Sequence, residues 1–267
     1  MRIGVVGAGG KMGAEVCRTV AARDGLDLVA AIDPAHAGRG VEALTGAPVP
    51  DLVVSGGLAA LVDAGVDVAV DFSRLEASRE ALGFCADAGI HAVVGTTGFS
   101  EDDVTELRRR FAGPPNCVVA ANFAIGAVLM MRFAELAAPW FDGAEIIELH
   151  HDGKLDAPSG TARATAERMA TARRESGTGD FPPDRTVTTV LEAARGGRGP
   201  ADIRIHSVRL PGLVAHQEVI LGAVGQSLTI RHDSYDRSSF MDGVVLAVRS
   251  ISDRPGVTVG LEPLLGL

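Results

Sequence analysis

Short apolar runs punctuate the first half of the chain at residues 3–6, 26–32, 66–72, 91–95 and 116–121. Each has the length and composition of a buried strand. Between them the apolar period changes to that of a helix, with Met12, Val16, Cys17 and Val20 on one stripe. A helix capped by Ser73 is expected to run to about Ala88, and one opened by the Ser100-x-x-Asp103 box to Phe111. Residues 34–50 are rich in glycine and proline and read as a loop with a short insertion. Strands alternating with helices predict a parallel, doubly wound α/β sheet.

From residue 124 the pattern is different. A helix to about Trp140 precedes a strand at 145–150, where Ile147 and Leu149 point one way and Ile146, Glu148 and His150 the other. The polar loop Asp152-Gly153-Lys154-Leu155-Asp156 follows, then Ala157-Pro158. Ser159-Gly160-Thr161 opens a helix expected to end near Glu175. Residues 176–183 read as a linker and 194–200 as a mobile or ligand-touching loop. Three strands at 203–210, 213–221 and 227–232, joined by turns such as Pro211-Gly212, predict an α+β domain with a mixed or antiparallel sheet. Residues 219–224 give that sheet an exposed apolar face, which invites self-association. A last helix at 238–251 is expected to return to the first domain. The expected division is therefore 1–123 joined by 235–267, with 124–234 as the substrate-binding and oligomerisation domain.

Composition narrows the function classes. The 267 residues carry a formal charge of −9, which argues against nucleic acid or an anionic membrane as a partner, while leaving room for a local basic pocket. Cys17, Cys85 and Cys117 form no C-x-x-C and no metal-ligand spacing, so buried free thiols in a reducing cytosol are expected, with no metal. No apolar run reaches membrane-spanning length, and the glycines at 7–13 interrupt the only stretch that imitates a signal peptide.

Two stretches carry chemistry. Gly7-Ala8-Gly9-Gly10-Lys11-Met12-Gly13 links the first strand to the first helix, and Asp33 ends the next strand. Glycines there let a pyrophosphate approach the backbone at a helix N-terminus, and the acid takes the ribose hydroxyls. The spacing is Gly7, Gly10, Gly13 rather than G-x-G-x-x-G, because Met12 stands at the final position. Ligands of such folds bind at the carboxyl ends of the strands. That rule adds Phe72-Ser73, Gly95-Thr96-Thr97 and Ala121-Asn122-Phe123 to the rim of a Rossmann-like domain, although Gly-Thr-Thr-Gly also reads as a plain connection. The second stretch is 145–162. It gathers His150, His151, Lys154 and the helix N-terminus at Gly160-Thr161, which suits a substrate with carboxylates that needs a proton. Arginine outnumbers lysine by more than ten to one, and the only two lysines, Lys11 and Lys154, fall inside these stretches. Asp156 and Ser159 also have a simpler reading as helix caps.

The sequence E-I-I-E-L-H-H-D-G-K-L-D-A-P-S-G-T-A at 145–162 resembles the signature of the dihydrodipicolinate reductase family. The likeness extends from Gly-x-x-Gly-x-Met-Gly through Gly95-Thr96-Thr97-Gly98 and Ala120-Ala121-Asn122-Phe123 to His232-Asp233-Ser234. It implies NADH or NADPH on Gly7, Ala8, Gly9, Gly10, Lys11 and Met12, with Asp33 on the adenosine ribose. Gly95, Thr96, Thr97, Ala120, Ala121, Asn122 and Phe123 would line the nicotinamide side, and the strand-end rule adds Phe72 to that rim. It implies His150 and Lys154 as the proton-handling pair, and His151, Ser159, Gly160 and Thr161 as the grip on a small dicarboxylate. It further implies reduction of 4-hydroxy-tetrahydrodipicolinate in lysine and diaminopimelate biosynthesis, in a cytoplasmic homotetramer built through the second sheet. Related amino-acid dehydrogenases share the first domain but should lack His-His-x-x-Lys, and an idle nucleotide sensor would not need it. Glu148 reads either as a group that orients His150 and raises its pKa or as a solvated strand carboxylate. Asp33 is followed by Pro34-Ala35-His36 rather than by an arginine, so NADH preference or dual use is expected, with Lys11 or Arg39 able to offset it.

Overall fold

Aliphatic runs flanked by turn residues become eleven strands in the computed structural model, which describes residues 1–267. They are β1 (Arg2–Val6), β2 (Asp27–Ile32), β3 (Val68–Asp71), β4 (His91–Val94), β5 (Cys117–Val119), β6 (Gly143–His150), β7 (Gly197–Arg198), β8 (Arg204–Arg209), β9 (Ala215–Ala223), β10 (Gln226–Ser234) and β11 (Val257–Val259). The longer helices include α1 (Lys11–Ala21); short α2 (Val41–Thr45) and α3 (Ala59–Asp63) follow, then α4 (Leu75–Ala88), α5 (Glu101–Arg110), α6 (Ile125–Ala137), α7 (Gly160–Glu175) and α8 (Met241–Ser250). Two compact units result, Met1–Ile125 with Arg237–Leu267, and Gly126–Asp236.

The first unit holds a six-stranded sheet in the order β11-β5-β4-β3-β1-β2, every pair parallel. All four residues of β3 are buried, as a strand covered on both faces requires. The chain leaves β1 for β2 on one side and returns to β3 on the other, so the carboxyl ends of β1 and β3 border the crevice where such sheets bind ligands. Helix α4 presents Ala81, Leu82 and Cys85 to a core shared with Val94, Leu107 and Phe111. The glycine turn is sterically determined. Gly7 has φ +79° and a Cβ there would lie 2.7 Å from the Phe72 carbonyl oxygen, while a Cβ on Gly13 would lie 2.0 Å from that of Gly7.

Several local expectations are corrected. Residues 34–50 are not a bare loop: Pro34–His36 forms one 3-10 turn and α2 follows, and α3 was not foreseen. Ser73 does not cap α4. Arg74 holds the cap position without a side-chain bond, because the Ser73 hydroxyl is drawn to Asp71 at 2.6 Å. The Ser100–Asp103 box is present in both directions. Beyond α8, β11 joins the edge of the sheet beside β5.

The second unit carries a five-stranded mixed sheet, β10-β9-β6-β8-β7. Pro211-Gly212 does not join neighbours in a hairpin. β6 lies between β8 and β9, parallel to the first and antiparallel to the second. The β8–β9 link therefore passes over the end of β6, with Leu210 N donating to His150 O at 3.1 Å and His151 N to Val214 O at 3.4 Å. The apolar run at 219–224 is divided between the two faces rather than forming one exposed face. Val219 and Leu221 are fully buried with Ile146, Ala166, Met169 and Ile203, whereas Val224 is 96% exposed at the turn.

Candidate active site

In the first unit the site grows from the end of each strand. Gly10 stands at the N-cap of α1 with extended backbone and no side-chain cap, and the first turn has no acid, so its leading N–H groups meet no side-chain acceptor. Asp33 ends β2. Its Oδ2 accepts from Gly9 N at 2.9 Å, and its Oδ1 meets Ala35 N at 3.1 Å and His36 Nδ1 at 3.0 Å. A Cβ on Gly9 would lie 2.2 Å from His36 Nδ1, so the imidazole covers that glycine. Ala8 is buried, Met12 half-buried and Lys11 exposed.

The ends of β3, β4 and β5 are bound together from inside. Asp71 is only 2% exposed and accepts from Ser73 Oγ (2.6 Å), Thr96 Oγ1 (2.7 Å) and Ser78 Oγ. Burial pushes its carboxyl above the usual value, against the pull of the three hydroxyls. Thr96 thus spends its hydroxyl inward, and Ser73 N donates to the same oxygen at 3.0 Å. Thr97 and Ala121 remain exposed. The Phe72 ring lies where a Cβ on Gly95 would come within 2.0 Å, and it packs on Phe123 at 5.8 Å between centroids. Asn122 Oδ1 accepts from Ala124 N at 2.9 Å, and Ala120 is buried beside it. Neighbouring parallel strands bring these predicted residues to one rim of the sheet.

In the second unit β6 ends at His150, and Glu148 takes the inward face. Glu148 is fully buried. It accepts from His150 Nδ1 at 2.5 Å, from both terminal nitrogens of Arg209 at 2.8 Å each, and from Ser159 N at 3.2 Å. Burial works to raise its carboxyl, but the bonds from Arg209, Ser207 and His150 outweigh burial and hold it below the usual value. The same burial lowers His150 below an ordinary histidine, and the Glu148 bond opposes this without reversing it. So the carboxylate orients the ring, while the expected net rise in pKa gives way to a fall. A carboxylate can only accept, so Nδ1 carries the hydrogen and Nε2 of the neutral ring keeps its lone pair.

Lys154 Nζ lies 2.7 and 2.9 Å from the Asp156 oxygens, and its backbone N donates to His151 O at 3.2 Å. Asp156 therefore pairs with the lysine rather than capping α7. Ser159 does cap it, its hydroxyl accepting from Ala162 N at 3.1 Å. His151 and Gly160 are exposed and Thr161 half-buried. A groove of about 650 Å³, lined by Arg163, Glu167, Arg198 and His206, includes none of these residues and reaches only Ala157 and Pro158 of the same loop. His150 and Lys154 are not part of its lining and stand on the strand end and the loop after it. His232 and Asp233 serve the sheet: Asp233 Oδ1 holds His216 Nδ1 at 2.7 Å, and a Cβ on Gly126 would come within 2.4 Å of the His232 ring.

Four residues of these networks were not found by sequence reasoning: Asp71, Ser78, Ser207 and Arg209. Asp71 ends an apolar run at the ligand rim, which is a usable signal. Nothing in spacing distinguishes Arg209 from the other arginines.

Two family models cover nearly the whole chain: dihydrodipicolinate reductase, N-terminus, matches residues 1–123, and dihydrodipicolinate reductase, C-terminus, matches 126–265. The chain belongs to the dihydrodipicolinate reductase family. Relatives in that family include the 4-hydroxy-tetrahydrodipicolinate reductase of Mycobacterium sp. (strain KMS), 48% identical with all of both chains covered. That of Nocardia farcinica (strain IFM 10152) is 49% identical, covering 100% of this chain and 99% of the other. A solved structure, dipicolinate-bound dihydrodipicolinate reductase from Paenisporosarcina sp. TG-14, superposes with a TM-score of 0.82 at 39% identity over 98% of each chain. A probable dehydrogenase from Thermotoga maritima shares the fold alone, at 13% identity and TM-score 0.58 over 99% of this chain and 92% of that one.

Proposed function

We propose that this chain is a 4-hydroxy-tetrahydrodipicolinate reductase of lysine and diaminopimelate biosynthesis, using NADH or NADPH. The observation that carries the reading is the Glu148–His150 pair at the end of β6, beside Lys154 and the start of α7, in a chain whose two halves both match the family.

The first unit fits a dinucleotide. Gly7, Gly10 and Gly13 allow a tight turn into an uncapped helix start, while His36 lies over Gly9 and Asp33 accepts from the Gly9 N–H at that edge. Gly7 to Met12 would hold the pyrophosphate and Asp33 the ribose. Phe72, the Gly95–Thr97 backbone and Ala120 to Phe123 would line the nicotinamide side. When bound, the reduced nicotinamide supplies the hydride.

The rest falls to the chain's own groups in the second unit. The free N–H groups of Gly160 and Thr161, with His151, would bind substrate carboxylates, and Ser159 supports them as the cap. Loss of the 4-hydroxyl as water leaves a ring C=C conjugated to the C=N. Hydride adds at the far carbon of that system, and a positioned acid supplies the proton that relieves the charge carried to the ring nitrogen. Lys154 Nζ is that donor in our reading, and His150 Nε2, held neutral with its lone pair outward, exchanges the proton. We place the enzyme in the cytoplasm, in keeping with three buried free cysteines, two of which burial pushes up to about 12. We further assign a homotetramer assembled on the outer sheet face, where Ile147, Leu149, Val208 and Ile220 are only half-buried.

The test follows oxidation of NADH and of NADPH by absorbance, with enzymatically generated hydroxy-tetrahydrodipicolinate as substrate. Turnover dependent on that substrate is expected. Absence of turnover with either cofactor would remove the assignment.

A further inference from the structure

We infer that Arg209 is a positioning residue for this reaction, and that its buried pair with Glu148 sets the proton-handling and carboxylate-binding groups together. The inference rests on the reductase reading of His150 and Lys154.

Arg209 stands opposite His150 in the β6–β8 ladder. Its Nη1 donates to Glu148 Oε2 and its Nη2 to Glu148 Oε1, each at 2.8 Å, a two-pronged match of planar fork to carboxylate. The same Nη2 donates to Asp156 O at 2.7 Å, and Nη1 to Val208 O at 2.7 Å. Glu148 also accepts from His150 Nδ1, Ser159 N and the Ser207 side chain. One ion pair therefore reaches three parts of the proposed machinery. It orients the imidazole, it holds the amide directly before Gly160-Thr161, and it fixes the carbonyl of the residue that pairs with Lys154.

Charge explains why an arginine is needed. A carboxylate as buried as Glu148 takes up a proton unless a cation compensates it, and a protonated Glu148 need not accept from Nδ1. The ionisable groups facing His150 are Glu148 on its own strand, Arg209 on β8 and Lys154 on the following loop, with Asp156 next to both cations. Removing Arg209 takes one positive charge from this set, so the coupled Glu148–His150 pair must bind its proton at higher pH. Lysine at 209 would keep the charge but lose the fork.

The experiment compares wild type with Arg209→Met and Arg209→Lys. It uses the ¹⁵N-imidazole NMR titration of His150, assigned by its loss in His150→Asn, alongside kcat, KM, NADH affinity and thermal melting. In Arg209→Met we expect the titration midpoint to move up by about one unit or more. We also expect kcat to fall by at least about tenfold, with NADH affinity unchanged. Arg209→Lys should restore the midpoint to near wild type and kcat only in part. A folded Arg209→Met protein with wild-type midpoint, kcat and KM would overturn the inference and leave the pair a purely structural one. The NMR readout needs no substrate, so failure of the reductase reading would show separately, as wild-type protein without turnover.

Discussion

The imidazole of His36 lies 3.0 Å from the Asp33 carboxylate and across the backbone of Gly9. The acid proposed to bind the ribose is thus flanked by a histidine, not by an arginine fork that would welcome a 2′-phosphate. NADH should serve at least as well as NADPH, and Asp33→Ala should mainly raise the cofactor KM. Replacing His36 with arginine should shift the kcat/KM ratio toward NADPH by about tenfold, the scale of one charge-assisted hydrogen bond. Steady-state kinetics with both cofactors check this; a wild-type kcat/KM for NADPH well above that for NADH would contradict it.

Lys154→Ala removes the proposed acid. kcat should drop by roughly two orders of magnitude or more while NADH affinity stays where it was. Undiminished turnover in that variant would assign the proton to another group.

His150 gives a pH signature. Burial holds its pKa below the ordinary 6.5, so the ring is neutral at pH values above that and charges only on acidification. If the neutral form is required, kcat/KM should fall on the acid side with a midpoint under about 6.5. His150→Gln should lower activity and abolish that limb. A limb that persists unchanged in the variant belongs to a different residue.

Asp71 should make stability depend on pH in the opposite sense from a salt-bridged carboxylate. Its folded pKa lies above the unfolded one, so the folded state binds the proton more tightly between the two values. Its contribution therefore declines as pH rises from the unfolded value, near ~4, through the folded value, and stays low beyond. Asp71→Asn should flatten that slope at a cost of about 1 kcal/mol in hydrogen bonding. Urea midpoints across the acid range measure it, and an unaltered slope would show that another group titrates.

Ile147→Glu places a charge on the half-buried outer face of β6. Sedimentation of the wild type should give a tetramer, and that of the variant a smaller species. A monomeric wild type would end the assembly reading.

Features that depend on neighbours in the chain were legible from residue order. The alternation of short aliphatic runs with amphipathic stretches is enough for a parallel doubly wound sheet, because strand and helix periods differ. The Ser100–Asp103 box, the Ser159 cap and the end of β6 at His150 follow from chemistry within a few residues. The glycine turn is partly of the same kind: Gly13 answers to a clash with the Gly7 carbonyl six residues back, whereas the Phe72 carbonyl that crowds Gly7 comes from a strand far along the chain. What long-range packing decided was not written in spacing. β6 enters between β8 and β9 because a central strand needs partners on both edges, and short turns alone suggested a hairpin. Glu148 could be read as solvated until a guanidinium 61 residues away closed on it. A buried charge is tolerated only beside its counter-charge, and only the tertiary fold determines which of many arginines that is.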